Sequence, residues 1–144
     1  MTRSDLCNLD RFLTAQNPVY DQVLTELSGG RKRTHWMWFI FPQIAGLGRS
    51  ETSRRYAIRD LEEARAYLAH PVLGTRLRQC AHLLLDISGR SAHEILGSPD
   101  DLKLRSSATL FAQVSPSGSA FHQLLDRFYG GAVDTRTVEL SRTS

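Results

Sequence analysis

The chain has 144 residues, 41% of them hydrophobic and 23% charged. This composition fits one globular domain over residues 1–144 and excludes disordered and low-complexity architectures. The longest apolar run, residues 36–41, is far below the roughly 18 residues of a membrane span, so no membrane association is expected. The N-terminus has no secretory signal. The two cysteines, Cys7 and Cys80, form no disulfide framework. From these two features the sequence predicts a cytoplasmic protein.

Helical periodicity dominates the chain and predicts an all-α fold, a compact multihelical domain of about seven helices. Each predicted helix start is marked by a capping residue, by a proline permitted in the first turn, or by both. In chain order they are Asn17-Pro18, Asp60, Pro71, Ser91 and Ser98-Pro99. A later amphipathic helix covers Phe121 to Phe128, and a short terminal helix lies around Thr137 to Leu140.

Residues 34–42 are the exception to this periodicity, because they are rich in aromatic and β-branched side chains. That composition fits a short buried strand, and a buried helical turn fits it equally well. No second strand is predicted as a partner, and helices tend to end before a proline such as Pro42. We therefore expect a buried helix that ends near Phe41.

Positive charge is concentrated beside these aromatic residues. The whole chain carries a formal charge of +3, whereas residues 31–59 alone carry +6. Arginine forks bind phosphate in two-point contacts, and indole rings stack on bases or sugars, so the combination suits a nucleotide-like anion. Core packing alone would also explain the aromatic residues, with the cations forming a solvated or capping turn at the end of the preceding helix, but it explains less well why three cations lie directly beside them. The candidate ligand-binding residues are Arg31, Lys32, Arg33, Trp36, Trp38 and Tyr56, and His35 is a candidate acid or base.

A second cluster of candidate catalytic residues follows Ser98-Pro99. Lys103 and Ser107 are four residues apart and share a helix face, with Asp101 in the first turn. A neutral lysine could activate the serine as a nucleophile. The alternative is a capped helix with an ion pair and small residues for close packing. No histidine or cysteine spacing indicates a metal site, and no motif indicates a cofactor.

Four stretches of the sequence together carry a family resemblance. They are residues 30–43 (GRKRTHWMWFIFPQ), 46–48 (GLG), 67–77 (YLAHPVLGTRL) and 100–111 (DDLKLRSSATLF). In these stretches the chain resembles the bacterial family called domain of unknown function 1810, over about residues 9–140. The resemblance implies a multihelical fold and no established activity.

The sequence thus supports two hypotheses about function. The first is that the protein binds or processes a phosphorylated or nucleotide-derived small molecule at a pocket joining residues 31–43 to the helix that begins near Asp100. The alternative is a non-enzymatic module that contacts a protein or nucleic acid through residues 31–43, which we call the basic-aromatic segment. The low overall charge and the lack of a reading motif make a nucleic-acid partner the weaker expectation. Nothing in the sequence indicates an oligomeric state or decides whether the protein is an enzyme.

Overall fold

The computed structural model describes residues 8–142, and this range contains ten α-helices and no named strand. The all-α prediction is confirmed, whereas the expected number of helices was too small. Only seven of the ten helices have seven or more residues, and three short ones connect them. The helices are α1 (Asp10–Gln16), α2 (Tyr20–Ser28), α3 (Met37–Ile40), α4 (Glu51–Arg55), α5 (Leu61–Ala69), α6 (Leu73–Asp86), α7 (Ala92–Leu96), α8 (Asp100–Ala112), α9 (Ala120–Tyr129) and α10 (Thr135–Arg142). Cys7 lies outside the described residues.

Two of the predicted helix starts are confirmed by their capping hydrogen bonds. The Asp60 carboxylate accepts from the backbone N–H of Glu63 over 2.8 Å, and Ser91 forms a reciprocal capping box with Glu94. One other start was wrong, because Asn17 ends α1 and α2 begins only at Tyr20. The start at Ser98-Pro99 is confirmed, since α8 begins at Asp100 with Asp100 and Asp101 in its first turn, but Ser98 provides no side-chain cap.

The start of α6 explains part of the 67–77 stretch. The ring Nδ1 of His70 accepts from the backbone N–H groups of Val72 and Leu73 at 3.1 and 3.2 Å, so it satisfies donors that have no partner inside the helix. Gly74 follows at a close approach of two backbones. A Cβ placed there would lie 2.1 Å from the carbonyl oxygen of Leu68, so only glycine fits.

A row of aromatic rings crosses the core from α1 to α9. The ring centroids of Phe12 and Tyr67 are 5.1 Å apart, those of Tyr67 and Phe111 are 5.4 Å apart, and those of Phe111 and Phe121 are 5.6 Å apart. All four rings are buried. Offset and edge-to-face aromatic pairs of this kind add to the stabilisation that burial provides.

Helices α6 and α8 are the centre of the packing. Helix α6 contacts α2, α3, α5 and α9, while α8 contacts α5, α7, α9 and α10. Every residue of α8 from Ser106 to Phe111 is buried, so this stretch of the helix is enclosed on all sides, whereas Leu102 nearer its start is exposed. No helix in residues 8–142 is long and apolar enough to cross a membrane.

Residues 30–44 run from the end of α2 across the α7–α8 junction. The backbone N–H of Lys32 donates to the carbonyl of Ile95 in α7 over 2.8 Å. The predicted buried helix is present as the single turn α3 (Met37–Ile40). It is followed by an isolated parallel bridge between Ile44 and Ile58. This path brings the basic-aromatic segment next to the beginning of α8.

Candidate functional site

The basic-aromatic segment is folded around a carboxylate of the chain itself, Glu26 on α2. Its Oε1 accepts from the backbone N–H groups of Arg33 and Thr34 at 2.6 and 3.0 Å and from the indole N–H of Trp36 at 3.0 Å. Its Oε2 accepts from the Thr34 hydroxyl at 2.6 Å and from the Gln22 amide at 2.9 Å. Five donors therefore hold one carboxylate whose residue is only 3% exposed.

The charge state of Glu26 follows from these hydrogen bonds. Burial by itself raises the pKa of the carboxyl group, but the Thr34 hydroxyl, the two backbone N–H groups and the Gln22 amide favour the ionised form and lower the pKa from 4.5 to about 2. Glu26 is consequently ionised throughout the physiological pH range. The indole of Trp36, 1% exposed, is held in the core by this anion.

Asp100 joins the segment to α8 through two lysines. Its Oδ2 lies 2.9 Å from Nζ of Lys32, and its Oδ1 lies 3.7 Å from Nζ of Lys103. Each ammonium group also lies over an indole ring. The Lys32 nitrogen is 5.2 Å from the Trp36 centroid and that of Lys103 is 5.1 Å from the Trp38 centroid, within the range of cation–π attraction. Two cations and one anion leave this cluster with a net charge of +1.

Trp38 and Tyr56 meet at a small cavity, which we call the aromatic cavity. The two side chains are half-buried, and the cavity has a volume of about 20 Å³. Gln43 and Ser53 contribute polar groups to its lining. Arg55 lies over the Tyr56 ring at 5.6 Å, so each of the two rings has a cation over one face. A volume of this size accommodates about one water molecule or one small polar group.

Comparison with known proteins identifies the family of the chain. Residues 6–141 match the family model described as protein of unknown function, DUF1810. The chain belongs to the DUF1810 family. It is also similar to a crystal structure, at 1.38 Å, of the conserved hypothetical protein Rv1873 from Mycobacterium tuberculosis, with 53% sequence identity and a TM-score of 0.93 over 96% of this chain and 99% of that one. No protein of curated function is similar enough to match the chain.

Several predicted site residues of this DUF1810 chain are exposed to solvent. The side chains of Arg31, Arg33 and His35 are exposed and form no hydrogen bond or ion pair within residues 8–142. Tyr56 and Trp38 come together, as described above, whereas Trp36 is buried against Glu26. The segment therefore divides into a buried anchor and an exposed basic edge.

The predicted catalytic residues of α8 are held apart from one another. Asp101 accepts from the backbone N–H of Leu102 at 2.9 Å, and its other oxygen lies 3.5 Å from Nδ1 of His93. Ser107 is 1% exposed, and its hydroxyl has no hydrogen-bond partner among the described residues. The Lys103 ammonium group thus contacts Asp100 and not the Ser107 hydroxyl. No group of three possible metal ligands occurs in the part of the chain that the structure describes.

Glu26 is the site residue that the sequence reasoning missed in this DUF1810 chain. It occupies the apolar face of α2, because it follows Val19 by seven positions and Val23 by three. A carboxylate on an apolar face has to be satisfied by partners when it is buried. The position of Glu26 just before the glycines and cations of residues 29–33 was therefore the signal that could have identified it.

Proposed function

We propose that the protein binds a small phosphorylated or nucleotide-derived molecule at the aromatic cavity. The observation that carries the proposal is the convergence of Trp38 and Tyr56, 18 positions apart in sequence, on one cavity with a cation over each ring. Lys103 lies 5.1 Å from the Trp38 centroid and Arg55 lies 5.6 Å from that of Tyr56. Aromatic rings with adjacent cations suit a flat group that carries an anion.

The size of the cavity restricts how such a ligand would bind. A volume of about 20 Å³ is far below the roughly 300 Å³ of small-molecule pockets that enclose their ligands. One edge of the ligand would enter between Trp38 and Tyr56, where the Gln43 amide and the Ser53 hydroxyl offer hydrogen bonds. The larger part of the ligand, including its phosphate, would lie at the mouth of the cavity.

Lys103 is the cation best placed to contact the phosphate. Its pairing with Asp100 is long, at 3.7 Å, because Asp100 makes the shorter contact of 2.9 Å with the more buried Lys32. One carboxylate shared by two ammonium groups leaves positive charge at Lys103, which is 23% exposed. An anionic ligand would complete the neutralisation that Asp100 begins. The proposal is one of binding and assigns no reaction.

Thermal stability and tryptophan fluorescence in the presence of adenosine diphosphate, adenosine monophosphate, ribose 5-phosphate and glucose 6-phosphate test this function. A binding ligand at 100 times its Kd stabilises the fold by about 2.7 kcal/mol. We expect Lys103→Gln to abolish the ligand-induced change in tryptophan fluorescence and Arg65→Gln, which removes an exposed cation of α5, to retain it. An equal response of both variants, or silence of the wild type across the panel, would refute the proposal.

The exposed Arg31, Arg33 and His35 favour a second candidate function, contact with an acidic protein partner or with nucleic acid. Such a complex forms through counterion release, so its affinity falls steeply with salt concentration. Binding of a fluorescent single-stranded oligonucleotide at low salt, lost in the double variant Arg31→Gln/Arg33→Gln, would support nucleic acid. Absence of binding at low salt would eliminate it.

A further inference from the structure

A second cavity lies between α6 and the loop that leads into α9, and we call it the serine cavity. Its volume is about 290 Å³, and it shares no lining residue with the aromatic cavity. Arg78 and His82 line it from α6, and residues 115–121 line it from the loop and the start of α9. A volume of this size is close to that of pockets that hold small ligands.

We propose that the serine cavity binds the phosphate group of a small phosphomonoester. Its ionisable lining consists of the Arg78 guanidinium and the His82 imidazole, and no carboxylate is among the lining residues. A guanidinium group has five N–H donors, and Arg78 uses one of them on the Leu68 carbonyl at 3.2 Å. The remaining donors can engage two phosphate oxygens together.

The serine hydroxyl groups and the His82 ring of the cavity are the further possible donors to a phosphate. Ser115 donates to the Phe111 carbonyl at 2.8 Å. The Ser119 oxygen lies 2.7 Å from Nδ1 of His122. The hydroxyl of Ser117 and the ring of His82 have no hydrogen-bond partner within residues 8–142. These two groups and Arg78 can therefore donate to a ligand without breaking a bond of the fold.

The neighbouring groove limits the ligand to a small one. That groove has a volume of about 550 Å³, shares His82 with the serine cavity, and is lined by the carboxylates of Asp86 and Asp126. The adjoining cation, Arg127, donates to the carbonyls of Leu85 and Ile87. The charge along α6 thus changes sign from Arg78 to Asp86, a rise of about 12 Å. An extended polyanion entering the cavity would meet these carboxylates, whereas a single phosphate group would not.

Titration of the protein with glycerol 3-phosphate, followed by two-dimensional amide NMR at constant ionic strength, tests the site. We expect saturable shifts at residues 78–82 and 115–121. Arg78→Gln should weaken binding by about tenfold or more, because it removes a charge-assisted contact. His82→Gln leaves the Leu68 hydrogen bond in place, and we expect it to weaken binding as well while retaining the native spectrum.

A control variant makes the result specific. Arg65→Gln removes the same charge from an exposed position of α5, so it should bind glycerol 3-phosphate as the wild type does. The proposal is overturned if Arg65→Gln weakens binding as much as Arg78→Gln, if the shifts are absent from residues 78–82 and 115–121, or if the shifts do not saturate. Because the two cavities share no lining residue, failure here leaves the proposed function of the aromatic cavity intact.

Discussion

The indole N–H of Trp36 donates to the buried carboxylate of Glu26 over 3.0 Å. The same carboxylate oxygen receives the backbone N–H groups of Arg33 and Thr34. The basic-aromatic segment, whose composition suits an external anion, therefore already encloses the carboxylate of Glu26. The cations that remain available to a ligand lie at the edges of this arrangement, at Lys103 beside Trp38 and at the exposed Arg31 and Arg33.

Removing the charge of Glu26 should destabilise the fold. Glu26→Gln replaces one acceptor oxygen with an N–H₂ donor that faces other donors, so we expect the free energy of unfolding to fall by about 2–3 kcal/mol. Urea denaturation measures this, with Glu139→Gln as the control. Glu139 is 65% exposed and pairs with Arg136 only at 3.8 Å, so its loss should change stability by less than about 0.5 kcal/mol. Equal stability of the two variants would contradict the anchoring role of Glu26.

The same carboxylate predicts how stability depends on acid. The pKa of Glu26 is lowered from 4.5 to about 2 in the folded protein, so the native state binds its proton later than the unfolded chain does as the pH falls. The contribution of Glu26 is complete above pH 4.5 and is lost as the pH approaches about 2. Asp134 acts in the same direction, since hydrogen bonds from Thr137 and Ser106 outweigh the effect of burial and lower its pKa.

Chemical denaturation between pH 6 and pH 2 checks this dependence. The stability difference between wild type and Glu26→Gln should narrow as the solution becomes more acidic, because protonation removes the advantage of the wild-type carboxylate. A constant difference over this range would show that the pKa of Glu26 is the same in the folded and unfolded states, so that its hydrogen bonds do not stabilise the ionised form.

The ion pair of Lys32 and Asp100 gives a third prediction. Lys32 is only 8% exposed, so Asp100→Asn leaves a largely buried ammonium group with a weaker partner and should destabilise the protein by about 2 kcal/mol or more. In the double variant Lys32→Met/Asp100→Asn the orphaned charge is gone. In a double-mutant cycle measured by urea denaturation, the double variant should therefore lose less unfolding free energy than the two single variants lose together. Strict additivity would exclude the coupling.

Gly74→Ala tests the close contact between α5 and α6. Alanine normally stabilises the interior of a helix relative to glycine, by up to about 1 kcal/mol. Here the added Cβ would lie 2.1 Å from the Leu68 carbonyl oxygen, and backbone cannot move aside as a flexible side chain can. We expect a loss of about 2 kcal/mol or more in thermal unfolding. A variant as stable as the wild type would contradict this packing.

The sequence predicted the helical class because long apolar stripes such as Leu73, Leu77 and Leu84 repeat at helical spacing. It did not predict α1 or α4, which are short and have weak periodicity. The start at Asn17 and the side-chain cap at Ser98 were wrong because capping propensity is local, whereas tertiary packing determines where each helix begins. Helix boundaries therefore depended on contacts that no local pattern contains.

Only part of the candidate site was predicted from the sequence, because local patterns do not contain its long-range contacts. Proximity of residues 31–43 to Asp100 was expected, and the contact of Lys32 with Asp100 at 2.9 Å shows that the two regions do meet. The division into a buried Trp36 and a half-buried Trp38 was not predictable, because both indoles lie in one apolar run. The long-range partner of Trp38, Tyr56, was suggested by its arginine neighbours and not by any spacing rule.

The most direct test of the account is a two-dimensional NMR titration that observes the two indole N–H signals, assigned with Trp38→Phe. Trp36 donates to Glu26 inside the core, whereas Trp38 lines the aromatic cavity. In the Arg78→Gln variant, where binding at the serine cavity is weakened, the account predicts that a phosphorylated ligand that still stabilises the protein gives a saturable shift of the Trp38 signal while the Trp36 signal stays in place. A stationary Trp38 signal at full occupancy of that ligand would contradict the assignment of the site.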